Sequence, residues 1–137
     1  MDRHTLEDLW RRKKAQTIRL MEVADLTRQI LIAAEHRDQI SVTMLLSMRE
    51  DPVRYLSEMD ASFRAFVETL PREDAVRAAE LADGAAPETP DEIPLYEQVG
   101  QYRRLLESTI ELDRRLSIRM GGERSFYKMF RPNQSRP

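Results

Sequence analysis

The first 51 residues contain neither proline nor glycine. Those two residues are the ones that most often end or break a helix, so nothing in this stretch forces one to stop. The seven prolines stand at 52, 71, 87, 90, 94, 132 and 137, and the four glycines at 84, 100, 121 and 122. The segments between them are rich in Leu, Arg, Glu, Gln, Met and Ala, all good helix formers. No sustained period-two alternation is present, and no Asn-Gly or Asp-Gly hairpin flanked by β-branched residues. The expected fold is all-α: a long antiparallel helical hairpin with an additional C-terminal helix, three to four helices in a coiled-coil-like bundle.

The apolar spacing sets the elements. A first helix is expected over about residues 5–36, capped by Thr5 with Asp8 three residues on. Leu6, Leu9, Lys13, Gln16, Leu20, Val23, Thr27, Ile30 and Ala34 follow a 3–4 rhythm along it. A second helix is expected over 39–69, capped by Asp38 or Ser41. Its seam is Val42, Leu45, Arg49, Pro52, Leu56, Met59, Phe63, Phe66 and Leu70. Pro52 should bend this helix or restart it, yet the register passes through it unchanged. A short helix is expected over 71–83, a proline-rich acidic linker over 84–94, and a last helix over 95–120, ended by Gly121-Gly122. Val99, Tyr102, Leu106, Ile110, Leu116 and Met120 form its stripe, with Leu105 and Leu112 on the flank. Residues 1–122 thus make one helical domain, and residues 123–137 a flexible basic tail.

Net charge is −2, but it is unevenly spread. Residues 1–37 hold 8 basic and 6 acidic side chains, 38–98 hold 5 and 14, and 99–137 hold 9 and 4. The strongly acidic middle argues against nucleic acid as a partner, whose binding rests on neutralised phosphates. The run Arg11-Arg12-Lys13-Lys14 points in all directions around a helix and reads as solvated surface.

Features that carry chemistry are scarce. There is no cysteine, which excludes disulfides, Cys-ligated zinc and a thiol nucleophile. His4 and His36 lack the spacing of a metal site, and His36 suits a helix C-terminus through the dipole. Glu107/Glu111 and Glu50/Asp51 sit among arginines, where ion pairing along a helix explains them. No phosphate-binding loop or nucleophile elbow occurs. No catalytic residue, cofactor site or metal site is expected. No apolar run reaches the roughly 18 residues of a membrane span, and the start MDRHTLEDLWRRKK is unlike a signal peptide, so the cytoplasm is the expected location.

The segment LIAAEHRDQISVTMLLSMREDPVRYLSEMD resembles flagellar type III export chaperones of the FlgN/FliT kind, a bacterial family. The resemblance lies in a long first helix, a break at His36-Arg37-Asp38, then a helix with the apolar pair Leu45-Leu46 and the step Arg49-Glu50. A final helix and short basic tail are also similar, and Pro52 departs from the pattern. The resemblance implies a non-enzymatic secretion chaperone that binds amphipathic C-terminal helices of flagellar axial proteins before export. Met44, Met48, Met59 and Met120 would suit a soft helix-binding groove. The wide apolar sector of the second helix, with Val53 and Val67 beside its seam, exceeds what one facing helix covers. The expected partner-binding residues are therefore Leu56, Met59, Phe63 and Phe66, with Tyr102, Leu106 and Ile110 opposite. The alternative is a coiled-coil structural or adaptor protein that self-associates into a homo-oligomer.

Overall fold

The computed structural model describes residues 1–120, and the expectations for Gly121-Gly122 and for a tail over 123–137 lie outside the described residues. Four α-helices form, α1 (Arg3–Glu35), α2 (Gln39–Glu68), α3 (Arg72–Ala82) and α4 (Ile93–Arg119), with a 3-10 turn at Pro90–Glu92 and no strand among the described residues. The all-α expectation holds. Among the described residues, no helix is long and apolar enough to cross a membrane.

Both α2 and α4 pack along the length of α1, and no comparable backbone approach exists between α2 and α4. The core contacts give the directions. Leu26 and Ile30 of α1 cluster with Val42 and Leu45 of α2, while Leu6 and Leu9 cluster with Phe63, so α2 runs antiparallel to α1. Leu6 and Leu9 also meet Leu95 and Val99, and Leu31 shares a cluster with Leu116, so α4 runs parallel to α1. The bundle is up, down, up, with α3 closing one end through Ala78 and Leu81. Cross-contacts of Arg12 with Ser62, Gln16 with Met59 and Arg19 with Tyr55 set the antiparallel register of the hairpin.

The 3–4 seam of α1 is buried as expected from Leu6 to Ile30, polar members included, and Ala34 is half-buried. Burial spreads further, to Thr17, Ala24 and Leu31 on one flank and to Leu26 and Ala33 on the other. A helix with neighbours on two sides needs this wider apolar sector. Pro52 lies inside an unbroken α2, packed into the interior. It has no N–H to give the Met48 carbonyl, and the seam register carries through. The α4 seam differs from the expected stripe. It passes through Thr109 and Asp113, both fully buried, and leaves Leu106 and Ile110 half-buried beside it.

The helix ends are built by local chemistry. Asp2, not Thr5, caps α1: its side chain accepts from the Thr5 backbone N–H at 2.7 Å, and Thr5 lies within the first turn. The α1–α2 turn is very tight. The Asp38 N–H reaches the Ala33 carbonyl at 2.9 Å and the Arg37 N–H reaches Ala34 at 3.1 Å, a Schellman closure with Arg37 at φ 57°. Asp38 then caps α2 by accepting from the Ser41 N–H at 3.1 Å and from its hydroxyl at 2.6 Å. These bonds hold its carboxyl below the ordinary Asp range. The end of α3 repeats the closure, with Ala85 N–H to Glu80, Gly84 N–H to Leu81 and Gly84 at φ 99°.

The linker is shorter than residues 84–94, because its last part is the 3-10 turn and the first turn of α4. Arg77 on α3 fastens it. Its guanidinium binds both oxygens of Glu92, at 2.7 and 3.1 Å, the Glu80 carboxylate at 3.0 Å and the Ala86 carbonyl at 2.9 Å. This pairing lowers the Glu92 pKa and raises that of Arg77. Arg103 of α4 adds a bond to the Asp83 carbonyl.

Two equivalent closures with different residues make a comparison. Arg37→Gly should raise stability by about 0.5–1 kcal/mol by removing left-handed strain, and Gly84→Ala should lower it by about 1 kcal/mol. Urea unfolding followed by circular dichroism checks both.

Candidate functional site

The expected partner-binding residues divide into two groups. Leu56, Phe63 and Tyr102 are buried in the bundle. Leu56 and Tyr102 share a cluster with Leu20, Val23 and Val53, and Phe63 packs with Leu6, Leu9, Ala78, Leu81, Leu95 and Val99. Met59, Phe66, Leu106 and Ile110 are half-buried. The surplus apolar sector of α2 is thus closed within the chain, by α4 and α3 as well as α1. The seven residues do not line one open groove, because three of them cannot meet a partner unless the bundle opens. Sequence spacing marked them as apolar but could not say which neighbour covers them.

Two polar layers interrupt the core. In the first, Lys13 is buried between aromatic rings, its ammonium 4.5 Å from the centroids of both Phe63 and Tyr102. Lys13 donates to Gln16 Oε1 at 2.7 Å, and Gln16 Nε2 donates to the Met59 carbonyl at 3.0 Å. Gln98 of α4 donates to Thr17 Oγ1 at 3.0 Å. The expectation of a solvated basic run therefore fails at Lys13, which the 3–4 seam draws inside. The ring faces favour the charged amine, but loss of water outweighs them and brings its pKa down to about 8. Asp60 pulls in the other direction, while Arg64 and Arg103 add to the depression. Burial raises the Tyr102 pKa.

In the second layer, Arg49 Nη1 donates to Asp113 Oδ1 at 2.8 Å and to Thr27 Oγ1 at 3.0 Å, so α1, α2 and α4 are joined at one point. All three residues are buried. Sequence reading placed Arg49 and Thr27 on their seams but missed Asp113, whose charge hid it among surface carboxylates. Its position eleven residues after Tyr102, three helical turns on, was the available signal. Both layers are closed to solvent. They fix register and helix choice and offer no reacting surface.

Accessible apolar surface lies elsewhere. On α2, Ile40 is 84% exposed, Met44 54% and Met48 53%. Their four-residue spacing stacks them on one outer stripe. On α1, Ile18, Met21 and Ile32 are also exposed. A cleft of about 410 Å³ lies between the starts of α1 and α4, walled by Trp10, Pro90 and Pro94 over Leu6 and Leu95, with Arg3, Arg11, Glu7 and Asp91 at its rim. Among the described residues, no group of three His, Cys, Asp or Glu is gathered to hold a metal ion. No protein-family model, curated protein or solved structure matches the chain.

Two outcomes test the interior. Arg49→Met should destabilise by about 3–5 kcal/mol by stranding Asp113, and adding Asp113→Leu should restore much of the loss. Lys13 adds a pH dependence. Below pH 8 it is protonated folded and unfolded, and the folded chain bears the full cost of a buried ammonium. Between pH 8 and 10.5 the folded chain releases a proton that the unfolded chain keeps, so stability rises with pH, by about 3 kcal/mol in all. Above about pH 10 the unfolded chain ionises Tyr102 while the folded chain does not, and stability falls again. Denaturant titrations from pH 7 to 11 should show the rise, and Lys13→Met with Gln16→Leu should abolish it.

Proposed function

We propose that the protein is a non-enzymatic helix-binding protein that holds an amphipathic helix of a client, in the manner of a secretion chaperone. The observation that carries this is the outer stripe of α2. Ile40, Met44 and Met48 expose large apolar side chains on one face of a helix whose opposite face is fully engaged in the bundle. A client helix with apolar residues at i, i+4 and i+7 or i+8 complements such a stripe, and unbranched methionines adapt to clients of different shape. The sequence resemblance to FlgN/FliT-like flagellar export chaperones supplies the specific form: clients are flagellar axial proteins held in the cytoplasm before export. The docking face differs from the one the sequence suggested, since Leu56, Phe63 and Tyr102 support the core.

The self-associating adaptor has a surface of its own, Ile18, Met21 and Ile32 on the outer side of α1. One experiment separates the two. Sedimentation of the full chain gives its oligomeric state, and fluorescence anisotropy measures binding of C-terminal helical peptides from secreted axial proteins. A monomer that binds such peptides, and loses at least tenfold in affinity on Met44→Glu with an unchanged melting curve, supports the chaperone. A dimer that ignores every peptide and dissociates on Ile18→Glu puts the adaptor in its place.

A further inference from the structure

The two polar layers differ in how well they are paired. Arg49 meets a carboxylate at 2.8 Å and a hydroxyl at 3.0 Å. Lys13 is as deeply buried, but among the described residues no carboxylate stands at ion-pairing distance from it. Its ammonium makes one hydrogen bond, to Gln16, and otherwise faces the rings of Phe63 and Tyr102. Of the groups around it, Asp60 on α2 favours the charge, while Arg64 on α2 and Arg103 on α4 oppose it. Tyr102 on α4 is uncharged at neutral pH, since burial raises its pKa. The amine is charged at pH 7, at a cost that contact with water would remove.

The ties around this layer decide which element moves. From residues 3–15 of α1, one hydrogen bond reaches another helix, Arg12 to Ser62 at 3.4 Å, and Arg12 also lies over the Phe66 ring. Before them the Met1 amine pairs with Asp74 at 3.5 Å. Otherwise this part of α1 is held by Leu6 and Leu9 against Phe63, Leu81, Leu95 and Val99. By contrast α3 and α4 are clasped to each other, through Arg77 with Glu92 and Arg103 with the Asp83 carbonyl. Further along α1, Gln16 bonds α2, Thr17 bonds α4 and Thr27 enters the Arg49 layer. We infer that residues 3–13, about three turns of α1, swing off the bundle as a unit, that the buried Lys13 ammonium sets how often they do so, and that the Arg49 layer keeps the other end closed. The swing hydrates Lys13 and uncovers Phe63, Leu95 and Val99. An apolar face buried in the closed bundle is thereby presented intermittently, at one end only.

Val99 and Val42 are both buried valines, one under the swinging segment and the other beside the α1–α2 turn. The chain has no cysteine, so Val99→Cys and Val42→Cys each add one thiol with little change in volume. Labelling by a thiol reagent at pH 7, relative to the unfolded chain, should be at least about tenfold faster at 99 than at 42. Adding Lys13→Met should slow labelling at 99 about tenfold and move labelling at 42 far less. Amide exchange in the parent chain checks the unit without substitution: residues 8–13 should share one protection factor, lower than that of residues 27–31. Equal labelling at the two positions, or a Lys13→Met effect that is absent at 99 or equal at both, would overturn the inference. Protection that climbs residue by residue along α1 would mean fraying of a helix end and would overturn it as well.

Discussion

The backbones of α2 and α4 approach each other far less than each approaches α1, so the triangle of long helices closes through side chains. The Arg49–Asp113 pair is the polar member of that closure, and Thr27 ties it to the helix between them. Two ions taken out of water cost several kcal/mol each, and their mutual attraction offsets this only with good geometry. At 2.8 Å, with a hydroxyl beside it, the geometry is good. The pair contributes less to net stability than to selection. A slip of either helix by one turn would bury an arginine or an aspartate alone, which is far worse than losing apolar contact. The Lys13 layer acts in the same way one cluster further down, where Gln16 and Gln98 join α1 to both neighbours.

The fold was legible because periodicity reports burial whatever the residue type. Counting 3–4 steps along α1 put Lys13, Gln16 and Thr27 on the inner seam, and all three are buried. Where polarity overruled the count, the seam was lost: Thr109 and Asp113 were passed over for Leu106 and Ile110, which are half-buried. Caps erred for a similar reason. Asp2 and Thr5 both suit an N-terminus, and only the backbone geometry shows that Asp2 sits outside the first turn. The linker was shortened by the Arg77–Glu92 pairing, a contact over 15 residues that local composition does not encode.

The exposed apolar surface was less legible than the fold. Apolar sectors of α2 wider than one neighbour could be closed by a client, a second copy or another part of the chain. The last of these is what happens at Leu56 and Phe63. The exposed stripe of Ile40, Met44 and Met48 lies off the inner seam, and Met44 and Met48 stood out in the sequence only as soft residues near it. Exposure, which separates surface from core, comes from where α4 and α3 lie.

The turn between α1 and α2 decides which side of α2 meets water. Asp38 ends one helix and starts the next, so the hairpin has no spare residue to absorb a change in length. One inserted residue would rotate α2 by about 100° about its axis. That rotation would carry Arg49 away from Asp113 and draw the methionine stripe toward the core. The same short loop therefore sorts inner charge from outer charge along the whole helix. Substitution at Ile40, Met44 or Met48 changes the outer face alone, whereas a change in loop length would exchange the two faces wholesale.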